Sequence, residues 1–317
     1  MEVYGIIFKS VYPLFFLILF GFLLARINFI KEEVQGIFTK FAYWIALPVL
    51  IFDKVSKANF NFQASVKVLF VVLGLTALQA LILFIILKKW KVLRPDQIAS
   101  GVQGGCRGNL AFISLPILIF LVEQANHATD IIDVLLLVFA PTVMFYNLSF
   151  VPLLIAYSRT TVKTSLKDIC YSLISNPLLI SCALGLFWGS FSASKEDWLV
   201  IDVANKYLGG LAFPMALLGL GCQMFRIKVG PYIKASISFS LCKVILLPLI
   251  GLIVSRFIGL DKWEQIVVVL LLGSPTAVAS YVIADQLQAG EELAAGIVVI
   301  STAIGLISIP IFLQFIL

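Results

Sequence analysis

Ten apolar stretches follow one another along the chain, at about 6–25, 35–52, 65–87, 97–121, 131–156, 170–190, 199–223, 232–256, 263–287 and 293–316, with short hydrophilic breaks between them. Each is near the ~20 residues that cross a ~30 Å hydrocarbon core as a helix rising ~1.5 Å per residue. Backbone N–H and C=O groups in lipid have no water to bond, so stretches of this length must be helical. The pattern predicts an all-α membrane protein of ten transmembrane helices with no room for a soluble domain. Composition agrees: 61% of the 317 residues are hydrophobic and 13% charged, with a mean hydropathy of +1.06. An ordinary globular domain carries roughly 25% charged residues. So few charges cannot cover a surface that faces water.

A net charge of +6 and a pI near 9.0 would suggest a nucleic-acid partner in a soluble chain. Here the cations sit in the breaks: Lys88, Lys89, Lys91 and Arg94; Arg159, Lys163 and Lys167; Arg226, Lys228 and Lys234. Cytoplasmic loops of membrane proteins look like this, and no nucleic-acid partner is expected. Breaks after odd-numbered spans carry 12 Lys and Arg, whereas the N-terminus and the breaks after even-numbered spans carry 7. That bias predicts both termini outside and the 158–168 connection in the cytoplasm. Lys9 and the apolar run to Ala25 imitate a signal peptide, but no small-x-small cleavage site follows, so the run is read as the first span.

The five cysteines (Cys106, Cys170, Cys182, Cys222, Cys242) are scattered through apolar stretches without metal-ligand spacing and read as packing residues. The single histidine, His127, lies in a polar break beside Asp130 and is expected to be a solvated loop residue. No metal and no cofactor are expected.

The two halves match. YPLFFLILFGFLL carries Pro13 and Gly21; NPLLISCALGLFW carries Pro177 and Gly185. Pro48 then parallels Pro214, and Gly108 parallels Gly273, so four landmarks keep an offset of 164–166 residues. Residues 1–157 form one five-span repeat and 169–317 a second, joined by 158–168. Five spans is an odd number, so the second repeat enters the membrane from the opposite side. Inverted repeats of this kind are a common architecture of secondary transporters.

Spans four and nine are interrupted. In span four Gly101, Gly104, Gly105 and Gly108 crowd around Arg107 and Asn109, and each glycine costs roughly 1 kcal/mol of helix relative to alanine. Span nine has Gly273-Ser274-Pro275-Thr276 at its middle, where proline removes a donor and clashes with the preceding turn. Paired breaks at matched positions point to a transporter's binding site. A broken helix opens a second N-terminus whose N–H groups suit an anion. Arginine at membrane depth costs ~2.5–3.5 kcal/mol on insertion scales and marks function by default, although a structural pairing of Arg107 with Asp133 or Asp285 is an alternative. The residues expected to bind substrate are Gln103, Arg107, Gly108 and Asn109, with Asn147 in span five and Ser274, Pro275 and Thr276 in span nine. Lys40, Lys206 and Lys243 are expected to snorkel to an interface, and Asp53 and Asp285 to be solvated at span ends.

Pro13 and Gly21, Leu47-Pro48, Arg107-Gly108-Asn109 followed by Pro116, then Pro275, Asp285 and Thr302, give nearly the whole chain a pattern that resembles the auxin efflux carrier family, including its bacterial malate and malonate permease-like members. The resemblance implies ten helices as two inverted five-helix repeats in a cell membrane (the bacterial inner membrane for such members), often as a dimer. It implies a scaffold of spans one, two, six and seven, and a transport domain of the remainder with crossed broken helices four and nine. It also implies elevator-like transport of organic anions. The plant carriers' crossovers each hold an Asn-Pro pair. Here Leu110 follows Asn109 and Ser274 precedes Pro275, which favours a small carboxylate over auxin. The leading expectation is a secondary transporter of small organic anions, with H+ or Na+ as a possible coupling ion. The alternatives are a sodium-coupled symporter of a larger amphipathic anion, on the bile-acid-carrier architecture, and a channel. No nucleophile–His arrangement, H-E-x-x-H or paired intramembrane aspartates suggests an enzyme.

Overall fold

The computed structural model describes residues 2–58, 62–127, 130–159, 174–191 and 199–317. Cys170, Lys163, Lys167 and nearly all of the 158–168 connection lie outside the described residues. Among the described residues, seven helices are long and apolar enough to cross a membrane, and two shorter apolar helices span Leu110–Ala125 and Pro177–Ser190. Large apolar side chains stand bare on the outside, among them Phe8, Phe16, Phe70, Phe257 and Phe315. Water would not tolerate such a surface, but lipid does.

In chain order the helices are α1 (Glu2–Arg26), α2 (Glu32–Phe41), α3 (Leu47–Ser56), α4 (Phe62–Trp90), α5 (Pro95–Gly104), α6 (Leu115–Ala125), α7 (Asp130–Ala156), α8 (Pro177–Phe191) and α9 (Leu199–Gly210). They continue as α10 (Ala212–Arg226), α11 (Ile233–Leu241), α12 (Leu247–Phe257), α13 (Lys262–Gly273), α14 (Val278–Gln286) and α15 (Glu291–Ile316). Three π turns, Ala42–Ala46, Leu110–Ser114 and Cys242–Leu246, each lead into a Leu-Pro pair that starts the next helix. The cause is local. Proline at 48, 116 or 248 lacks an N–H, and its ring crowds the carbonyl one turn back. One extra residue in that turn relieves the crowding. The N–H of Leu47, Leu115 and Leu247 accordingly reaches back five residues, to Ala42, Leu110 and Cys242.

The helices sort into two packed groups. In the first, α1 lies against α10, α3 against α8 and α9, and α2 against α10. In the second, α15 packs against α5, α11, α13 and α14, α12 against α13 and α4, and α7 against α4. The groups meet where α1 touches α6 and α15, and where α7 touches α3 and α8. The α1–α10 contact is backbone to backbone: a Cβ on Gly21 would collide with the Leu218 carbonyl, and one on Gly221 with the Ile18 carbonyl. The Cys222 thiol also donates to the Gly21 carbonyl, at 3.1 Å. Small residues allow this approach because packing, rather than the hydrophobic effect, holds helices together in lipid.

Replacing Gly221 by leucine is expected to force α1 and α10 apart and cost about 1–3 kcal/mol or more. Gly74, with nothing within 4 Å of its would-be Cβ, is the control: Gly74→Ala is expected to be neutral or slightly stabilising. Thermal unfolding in detergent measures both.

Candidate functional site

Helix α5 is ten residues long and α13 twelve, so neither crosses a ~30 Å core alone. Both stop short, and the two interruptions meet. Gly108 and Thr276 form an antiparallel bridge, in which the Asn109 N–H donates to the Pro275 carbonyl at 2.8 Å and the Ala277 N–H to the Arg107 carbonyl at 3.1 Å. A Cβ at Gly108 would sit 3.2 Å from both the Leu271 carbonyl and Ser274 Cβ. A larger residue would have to push these neighbours back by a few tenths of an ångström.

Side chains take up the carbonyls that the interruptions release, as hydrocarbon demands. The Thr276 hydroxyl donates to Gly104 at 2.7 Å and the Gln79 amide to Gly105 at 2.6 Å. The Ser114 hydroxyl donates to Leu270 at 2.8 Å, and the Lys243 amine to Leu272. The Gln103 amide donates to Ser280 at 2.8 Å, and Ser301 Oγ accepts from the Thr276 N–H at 3.0 Å. Lys243 therefore does not snorkel. It is fully buried, drawn inward by a carbonyl at the C-terminal end of α13, where a cation is favoured. Lys40 and Lys206 are exposed, as expected.

The N-terminal ends of the second halves are treated differently. Neither the turn that begins at Leu110 nor α14 has a side-chain cap. Both open on a cavity of about 430 Å³ that Arg107, Gly108, Asn109, Leu110 and Ala111 line from one interruption and Ala277 and Ala279 from the other. Asn147 lines it from α7, Tyr43 from the first π turn, and Asn176 from the start of α8. Asn176 caps its own helix, accepting from the Leu178 and Leu179 N–H groups at 3.0 and 3.4 Å. Arg107 Nη2 donates to Asn147 Oδ1 at 3.0 Å, while its Nη1, buried, has no partner among the described residues. The ion pairs among the described residues do not include Arg107. Asp285 is exposed, and Asp133 lies fourteen residues before Asn147 on α7, roughly 21 Å away along the axis.

The eight expected binding residues thus fall into two classes, four that line the cavity and four that do not. Arg107, Gly108, Asn109 and Asn147 line it. Gln103, Ser274 and Thr276 are buried among the helices and hold the crossing from behind, and Pro275 packs against Gly305. Tyr43 and Asn176 were not expected. Asn176 carried a signal, since Asn before Pro is a helix-start pattern; Tyr43 carried none. Further out the lining turns apolar, with Val143, Val151, Ile155, Ile283 and Leu287. No three metal-ligating side chains gather among the described residues. His127, expected to be solvated, is half-buried and stacks on Trp263 at 4.1 Å.

A second cavity, of about 570 Å³, lies at the other face, between Asp53, Lys57, Asp202 and Phe213 of the first group and Ile119, Phe120 and Glu123 of the second. Lys57 bridges Asp53 at 2.6 Å and Asp202 at 3.0 Å. Burial pulls its ammonium down, but the two carboxylates outweigh that and hold it above the ordinary lysine value.

The sequence model of a family described as membrane transport protein, the auxin efflux carrier family, matches residues 6–313. No curated protein matches the chain. The apolar helices and this family place the chain among multi-pass membrane transporters.

Thr276→Val keeps the side-chain shape but strips the Gly104 carbonyl of its donor. It is expected to cost about 1–3 kcal/mol of stability, with Thr276→Ser close to the parent, as thermal unfolding in detergent measures.

Proposed function

The chain belongs to the auxin efflux carrier family, and we propose that it is a secondary transporter whose cargo is a small organic anion bound where the two interruptions cross. The observation that carries this reading is the unpartnered Nη1 of Arg107, a residue that lines the same cavity as two uncapped helix starts. A carboxylate there accepts a charge-assisted bond from Arg107 and backbone N–H bonds from the helix ends. Asn109 at the lip both donates and accepts.

The architecture we infer is ten spans in two inverted repeats, 1–157 and 169–317. The matched landmarks support it, and so does a further pair: Gln79 and Lys243, 164 residues apart, each donate to the last carbonyls before an interruption. Transport is read as an elevator motion of the second helix group against the first. In support, each cavity is lined by both groups and the two cavities lie at opposite faces. The bias of Lys and Arg assigns the Arg107 cavity to the cytoplasmic side, because it runs out to the ends of α7 and α14, next to the 158–168 connection. The apolar outer lining favours a second reading, an amphipathic anion with one carboxylate at Arg107 and an apolar body towards the mouth.

Proteoliposomes holding the protein are expected to take up labelled malonate or acetate saturably. Arg107→Met is expected to raise half-saturation about 10–100-fold, the loss of one bond to a charged group, and Asn109→Ala to abolish uptake. Uptake by both variants at the parent's level would move the site elsewhere. Uptake of cholate in place of the small acids, and only with sodium, would select the second reading.

A further inference from the structure

Lys243 is a buried amine outside the lining of the Arg107 cavity. It sits in the π turn Cys242–Leu246, 0% exposed, and donates to Leu272 at the end of α13. Its sequence match in the first half, Gln79, performs the same capping with a neutral amide, so capping alone does not require a charge. An ammonium has three N–H donors, and among the described residues one acceptor, the Leu272 carbonyl, receives a bond from Lys243. A neutral amine needs no more than that one. The position fits both charge states.

The elements packed around Lys243 bring no carboxylate to it. The titratable group that faces it is the Cys106 thiol, from the interruption after α5. Helix α13 carries Lys262 and Glu264 in its first turn, at the end opposite Leu272, and α15 carries Glu291 and Glu292 in its first turn. On α4, Lys67 stands near the start and Lys88 and Lys89 at the end; on α11 and α12, Lys234 and Arg256 stand near the outer ends.

Lys243 nevertheless stands next to both interruptions, bonded to one and one residue from the Cys242 carbonyl that Gln79 ties to the other. Leu272 precedes Ser274 by two residues, Cys106 adjoins Arg107, and the Gln79 amide bridges the carbonyls of Gly105 and Cys242 at 2.6 and 3.2 Å. We propose that Lys243 is the proton-binding site that couples anion movement to a proton gradient. This rests on the carboxylate reading of the crossing. A positive charge on Lys243 strengthens the field that holds the anion, and a bound anion favours the protonated amine; the coupling is reciprocal. One proton enters with the anion on one side and leaves with it on the other, so a monocarboxylate and its proton add no net charge to the moving group and a dicarboxylate adds one negative charge.

Two assays on the same proteoliposomes separate the two ideas: exchange of labelled for unlabelled malonate without a gradient, and accumulation driven by a pH gradient with the membrane potential clamped at zero. The wild type is expected to exchange malonate and to accumulate it about tenfold per pH unit, the ratio for one proton per anion. Lys243→Gln and Lys243→Met are both expected to keep exchange, lose its pH dependence and lose driven accumulation. Full accumulation by either variant overturns the assignment. A wild type that exchanges malonate but gains nothing from the gradient overturns the coupling and leaves the anion site standing. A wild type that does not exchange malonate removes the carboxylate reading, and the coupling with it.

Discussion

The antiparallel pairing of Gly108 with Thr276 is the contact on which the rest of the molecule depends. A helix that stops in water loses little, because solvent takes up its end groups. One that stops in hydrocarbon leaves each group bare, at a cost of several kcal/mol apiece. Two interruptions placed against each other satisfy part of that demand mutually, through Asn109 with Pro275 and Ala277 with Arg107. Neither interruption is affordable alone. Their meeting also sets where α4, α12 and α15 must stand, since Gln79, Lys243 and Ser301 have to reach the groups still open.

That accounting leaves the electrostatics of the site behind as a residue. The carbonyl ends of α5 and α13 are bonded by side chains, one of them a lysine, whereas the helix starts at Leu110 and Val278 are not capped. Partial negative charge is neutralised inside the helix packing, and partial positive charge is left facing the cavity. Arg107 adds a whole charge on the same side, with Asn147 fixing its direction and one nitrogen open. A cavity arranged this way carries positive potential, which is why the proposed cargo is an anion.

The sequence made the interruptions legible, because crowded glycines and a mid-span proline defeat a helix wherever they occur. It made Arg107 legible through its cost in lipid. It did not reveal which face of an interruption looks into the cavity: Gln103, Ser274 and Thr276 adjoin the crossing as closely as Asn109 does, yet turn into the packing, because the helix rotation there is set by α15 and α14. Asn147, and neither of the acids weighed as alternatives, bonds Arg107, a choice made by how α7 leans on the crossing. Tyr43 belongs to the other helix group, so its place depends on contact between groups and has no local signature. Side-chain length suggested that Lys243 reaches the interface; an open carbonyl at Leu272 decided otherwise.

The departures from symmetry say more about function than the symmetry does. On the proposed repeat register of 164–166 residues, Arg107 matches the stretch Leu271–Gly273 and Lys243 matches Gln79, so each half contributes one cation where the other half has a neutral residue. Backbone pairing needs neither charge, since an amide serves at Gln79 and a hydroxyl at Thr276. Both cations nevertheless converge on the crossing, Arg107 from within one interruption and Lys243 onto the carbonyl just before the other. Burying charge in lipid is costly, and the packing needs neither charge; on the proposed reading Arg107 holds the anion and Lys243 the proton that moves with it. The matched backbone builds the crossing, and the unmatched cations are where the two halves part.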